Sequence, residues 1–75
     1  MTALQAYENY IAQAETALKL IRKTYANNKT QYRERFTQVM DNVTGARNMA
    51  KMLGADPIEL GIIDIEFEAW TRLEL

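Results

Sequence analysis

Apolar residues recur at alternating intervals of three and four positions through the first two thirds of the 75-residue chain. This spacing places them on one side of an α-helix, because a helix completes a turn every 3.6 residues. The two series are Leu4, Tyr7, Ile11, Ala14, Leu18, Ile21 and Tyr25, and then Tyr32, Phe36, Val39, Val43, Ala46, Ala50 and Leu53. They predict two amphipathic helices, at about residues 3–26 and 30–53.

The segment between the two series decides whether these helices form a hairpin. It contains Asn27 and Asn28, which favour a turn, and Thr30, a candidate N-cap for the second helix. No Gly or Pro interrupts it, and the seven-residue repeat continues across it, so a single helix of about 75 Å in an oligomer is the alternative. Because that helix would place Asn28, Arg35 and Asn42 on its apolar seam, we favour the hairpin.

A third helix is predicted at about residues 57–73. Gly54 is typical of the position that follows the end of a helix, here the second one. Asp56, Pro57 and Glu59 then form a typical start for the next helix. At 100° per residue, the apolar residues that follow form two opposite stripes. One stripe comprises Ile58, Ile62, Ile65, Ala69 and Leu73, and the other comprises Leu60, Ile63, Phe67 and Trp70.

Residues 63–69 also fit a strand, because apolar and acidic side chains alternate there. A lone strand would have no partner within this chain, so a helix is favoured. The predicted fold is therefore all-α, a long helical hairpin followed by a third helix, in one domain spanning residues 1–75. A helix that is apolar on two sides needs two neighbours, and a chain this short has a small core. We therefore expect a coiled-coil-like homodimer in which a second subunit covers the third helix.

The chain contains no Cys, no His and no Ser, which removes most catalytic nucleophiles, imidazole acid–base groups and zinc ligands. The carboxylates of Asp64, Glu66 and Glu68 have no predicted pocket around them. We therefore expect a protein that is not an enzyme and that needs no metal or cofactor. No apolar run approaches 18 residues, and no basic region followed by an apolar stretch begins the chain, so we expect a cytoplasmic protein with no membrane contact.

The net charge of −1 hides two blocks of opposite sign. Residues 19–51 contain eight basic and two acidic side chains, whereas residues 52–75 contain one basic and six acidic side chains. Blocks of this kind can pair with each other or face separate partners. They divide the functional prediction into two hypotheses.

The favoured hypothesis is a small protein–protein interaction module, acting as an adaptor, an assembly factor or an inhibitor of a larger protein machine. It would bind its partner through the apolar and acidic C-terminal segment, where an exposed tryptophan is a common interface residue. The candidate partner-binding residues are Asp64, Glu66, Phe67, Glu68 and Trp70.

The alternative hypothesis is a nucleic-acid-binding accessory protein. Basic and aromatic side chains are interleaved around the predicted turn, and such a mixture can hold phosphates while rings stack on bases. The candidate residues are Lys19, Arg22, Lys23, Lys29, Tyr32, Arg33 and Arg35.

Overall fold

The computed structural model describes all 75 residues and contains three helices and no strand: α1 (Ala3–Thr24), α2 (Lys29–Met52) and α3 (Pro57–Glu74). This confirms the predicted all-α fold, with a long helical hairpin and a third helix. The strand interpretation of residues 63–69 is wrong, because α3 continues through them without a break. The single long helix is also wrong, because α1 ends four residues before Asn28.

Each helix begins at a polar cap. Thr2 caps α1 reciprocally: its side chain accepts from the backbone N–H of Gln5 at 3.1 Å, and the Gln5 side chain accepts from the backbone N–H of Thr2 at 2.9 Å. Asp56 caps α3, accepting from the backbone N–H of Ile58 at 3.0 Å, and Pro57 follows with its dihedral angle already suited to a helix.

The N-cap of α2 is Asn28, whose side chain accepts from the backbone N–H of Gln31 at 3.1 Å. The prediction of Thr30 as this cap is wrong, because the helix has already begun at Lys29. An asparagine side chain satisfies the free backbone N–H groups as well as a threonine does, so Asn28 can start the helix two residues before Thr30.

Gly54 ends α2 as the sequence predicts. Its φ of 94° lies in the left-handed region, where a residue with a side chain would be strained. The backbone N–H of Ala55 bonds to the carbonyl of Ala50 at 3.0 Å, and that of Gly54 bonds to Lys51 at 3.1 Å. This is the Schellman arrangement, and it turns the chain within four residues into the start of α3.

The core lies between the three helices, and half of its residues come from α1. Its fully or nearly fully buried members are Tyr7, Ile11, Ala14, Leu18, Val43, Ala50, Leu60 and Phe67. Leu18 and Leu60 are completely buried. α3 packs mainly against α1. The end of α3 lies at the same end of the bundle as the α1–α2 turn, because Arg22 in the last turn of α1 donates to the backbone carbonyl of Glu74.

Candidate functional site

The two apolar stripes of α3 have different surroundings. Leu60 and Phe67 are buried against the hairpin, and Ile63 and Trp70 of the same stripe pack beside them. The opposite stripe, which we call the α3 outer stripe, faces solvent. Its members are Ile58, Ile62, Ile65, Ala69 and Leu73. This is a row of exposed apolar side chains along the length of one helix, with nothing covering it.

An acidic groove runs between α1 and α3, beside the outer stripe. Its lining residues are Glu8, Ile11, Ala12, Glu15, Ile63, Glu66, Phe67 and Trp70. Three of these are carboxylates, and none is basic. The Lys19 ammonium, which is not part of the lining, lies over the Trp70 ring at 5.8 Å from its centroid. The groove therefore presents negative charge around an apolar floor.

Three of the five C-terminal candidates come together in this acidic groove. Glu66 is exposed at its edge, Phe67 is buried at its floor, and Trp70 is half-buried with its ring stacked on Phe67 at 6.2 Å between centroids. Glu68 lies outside the groove and pairs with Arg72 at 2.6 Å. Phe67 is thus mainly a core residue, and Glu66 and Trp70 are the members that a partner can reach.

The fifth candidate, Asp64, is directed toward the hairpin. Its Oδ1 accepts from the Tyr7 hydroxyl at 2.5 Å, and its Oδ2 accepts from Nε of Arg47, also at 2.5 Å. Burial of the Tyr7 ring, and then its hydrogen bond to Asp64, raise the pKa of Tyr7 above its ordinary value. The hydrogen bond to Asp64 likewise raises the pKa of Arg47. Because both of its carboxylate oxygens are bonded, Asp64 links α3 to α1 and α2. Its role is therefore to stabilise the fold and not to bind a partner.

We expect Asp64→Ala to reduce the free energy of unfolding by about 1–3 kcal/mol, because it leaves the buried Tyr7 hydroxyl without a partner. Urea denaturation followed by circular dichroism measures the change. Glu66→Ala is the matched control, because it removes an exposed carboxylate two residues from Asp64. The free energy of unfolding of this variant should equal that of the unmodified protein. Equal stability of the two variants would contradict the structural role of Asp64.

A second groove lies where α1 passes into α2 and where α3 ends, and we call it the basic groove. Its lining residues are Arg22, Tyr25, Ala26, Lys29, Tyr32, Arg33, Phe36, Thr71, Arg72 and Leu75. Four of these side chains are cationic, and no acidic side chain lines the groove. Tyr32 and Phe36 stack with 6.0 Å between ring centroids. The basic groove combines positive charge with a half-buried aromatic wall.

Four of the seven basic and aromatic candidates line this groove, and the other three do not. The four are Arg22, Lys29, Tyr32 and Arg33. Lys19 lies over Trp70, Lys23 is exposed elsewhere on α1, and Arg35 contacts Gln38 along α2. The sequence interpretation missed Arg72 and Thr71, which α3 contributes. A sequence signal for these two residues does exist. Three consecutive helices of similar length, joined by short turns, alternate in direction, so the end of α3 is expected beside the α1–α2 turn.

The structure contains no group of three or more acidic side chains that could hold a metal ion. None of the three helices combines the length and the apolar character required to cross a membrane. Comparisons with protein-family models, with curated proteins and with solved structures found no match to this chain. The two grooves and the α3 outer stripe are therefore the candidate binding surfaces of this protein.

Proposed function

We propose that this protein is a small interaction module that binds a partner protein through the α3 outer stripe. The observation that supports this proposal is the exposure of four large apolar side chains on one helix face. Ile58 is 74% exposed, Ile62 52%, Ile65 69% and Leu73 84%. Contiguous apolar surface of this kind costs solubility unless another surface covers it, so it is typical of interaction sites.

The charges beside the stripe indicate the chemistry of the partner. At 100° per residue, Glu59 and Glu66 lie along one edge of the stripe, and the acidic groove with Glu8 and Glu15 continues beyond them. The other edge is closer to neutral, because Glu68 pairs with Arg72. An amphipathic helix with an apolar face and basic residues along one side fits this surface, since complementary charges set its orientation.

A second copy of this chain fits the stripe less well. In a symmetric dimer, the same patch of both copies meets itself. An antiparallel pairing of the stripes would bring the edge that contains Glu59 and Glu66 against the same edge of the other copy, and like charges would face each other. The homodimer stays a prediction, and the proposed occupant is a different protein with basic residues. Adaptor, assembly factor and inhibitor roles all use such a contact.

The test uses two synthetic helical peptides of about 20 residues, long enough to hold some helix in water. Both carry leucines on one face, and the flanking residues are lysines in one peptide and glutamates in the other. We expect the protein to bind the lysine peptide more tightly, as measured by fluorescence anisotropy. Ile62→Asp and Ile65→Asp should each weaken this binding at least about tenfold, because each places a charge in the apolar contact.

Leu20→Asp provides the matched control, because it also replaces an exposed aliphatic side chain with aspartate, but on α1. Its affinity for the lysine peptide should equal that of the unmodified protein. Equal weakening in this control, or equal affinity for both peptides, would contradict the proposal. Sedimentation equilibrium tests whether a second copy of the chain occupies the stripe. If the unmodified protein is a dimer and Ile65→Asp is a monomer, the stripe binds a second copy and not a basic partner.

A further inference from the structure

We propose that the basic groove binds single-stranded nucleic acid, with its cations on the phosphates and its aromatic wall against a base. The lining of this groove shares no residue with the α3 outer stripe. Three features of the groove favour this ligand: its positive charge, the position of Lys29 at the start of α2, and its aromatic side chains.

The charge of the groove comes from all three helices. Arg22 belongs to α1, Lys29 and Arg33 belong to α2, and Arg72 belongs to α3. The Arg22 guanidinium also donates to the backbone carbonyl of Glu74, which ties α1 to the end of α3. Glu68 pairs with Arg72, so the net positive charge comes mainly from Arg22, Lys29 and Arg33. Three such cations around one concave surface, without an acidic side chain in the lining, attract a polyanion.

Helix stability accounts for only half of these cations. Arg22 and Arg72 lie in the last turns of α1 and α3, where positive charge stabilises the helix. Arg33 lies one turn into α2, whereas Lys29 is its first residue, at the positive end of that helix, where the first turn contains no acidic residue. Cations there weaken the helix, and stability alone favours acids. A bound anion would neutralise both these side chains and the helix end.

The aromatic side chains favour nucleic acid over an acidic polypeptide. Tyr25, Tyr32 and Phe36 are half-buried and line the same groove as the cations. Bases stack on exposed ring surfaces regardless of their identity, whereas carboxylate side chains gain little from a ring. A concave site also suits a flexible single strand. Duplex readout uses an element that projects into the major groove, and the cations here line a depression.

The experiment measures fluorescence anisotropy of a labelled oligo(dT) of about 12 nucleotides at low salt, where phosphate contacts are strongest. The groove variant is Lys29→Glu combined with Arg33→Glu. The matched control is Lys23→Glu combined with Arg35→Glu, which makes the same change in net charge outside the groove lining. The groove variant should retain its fold, because Lys29→Glu places an acidic residue in the first turn of α2 and Arg33 is exposed. Circular dichroism verifies this for both.

We expect the groove variant to raise the Kd for oligo(dT) at least about 30-fold, and the control to raise it less than about threefold. The slope of log affinity against log salt should fall by about 1.4 in the groove variant, as expected for the loss of two phosphate contacts on a single strand. Equal weakening in both variants would show a general charge effect and overturn the assignment. So would the absence of oligo(dT) binding to the unmodified protein at low salt.

A second variant tests the aromatic wall. Tyr32→Leu retains an apolar side chain but removes the ring, and we expect about a tenfold loss of affinity for oligo(dT). Polyglutamate serves as an anionic probe that has no bases. Tighter binding of polyglutamate than of oligo(dT), together with unchanged oligo(dT) affinity in Tyr32→Leu, would assign the groove to an acidic polypeptide and overturn the proposal.

Discussion

Leu18→Asp is expected to unfold the protein, whereas Leu20→Asp is expected to leave its melting temperature nearly unchanged. Leu18 is completely buried in the core, and Leu20 is 63% exposed on the same helix. An unpaired carboxylate in an apolar interior costs several kcal/mol, and the lost leucine contacts add to that cost. Stability of about 0.05–0.15 kcal/mol per residue gives this chain only about 4–11 kcal/mol in total.

Thermal melts followed by circular dichroism at the helical minimum measure both variants. The two substitutions are chemically identical and two positions apart in α1, so helix propensity changes equally in both. Any difference between them therefore reports burial. A cooperative melt of Leu18→Asp near that of the unmodified protein would mean that α1 packs through a different face.

Phe67→Ala should lower the free energy of unfolding by about 3–5 kcal/mol, which is the usual cost of removing a buried phenylalanine. Phe67 is 5% exposed, and its ring contacts Trp70 at the floor of the acidic groove. Ile65→Ala, two residues earlier, removes an exposed side chain of the outer stripe and should change stability by less than about 0.5 kcal/mol.

Urea denaturation of both variants distinguishes the core stripe of α3 from its outer stripe. If Phe67 were a surface residue for a partner, both substitutions would have similar small effects on stability. The opposite result, with Ile65→Ala much more destabilising, would mean that the outer stripe faces the hairpin. That outcome would remove the basis for the proposed interaction surface.

The helices could be predicted from the sequence because their signals are local. The three-and-four spacing, the start at Asp56 and Pro57, and the end at Gly54 each depend on residues no more than five positions apart. The turn near Asn28 is harder to predict, because the seven-residue repeat continues through it and opposes the turn signal of Asn27 and Asn28. Asn28 and Thr30 are both good N-cap residues, so the predicted cap lies two residues after the observed one.

The arrangement of the candidate site depends on contacts between distant parts of the chain, and the sequence pattern holds little of that information. Both stripes of α3 are apolar, so periodicity alone does not show which one faces the hairpin. The stripe with Phe67 and Trp70 is the one that packs, since aromatic rings bury the most area. The role of Asp64 depends on Tyr7, 57 residues away, and on Arg47. No local signal joins these three residues.

The small core has a consequence for how either binding surface can be detected. Only eight residues are buried, so a ligand that binds the folded chain alone adds a large fraction to its stability. At a free ligand concentration of 100 times Kd, this linkage contributes about 2.7 kcal/mol. For a domain of this size, 1 kcal/mol shifts Tm by about 4–8 °C. The melting curve of the protein is thus a sensitive reporter of occupancy, and two independent ligands should give shifts that add.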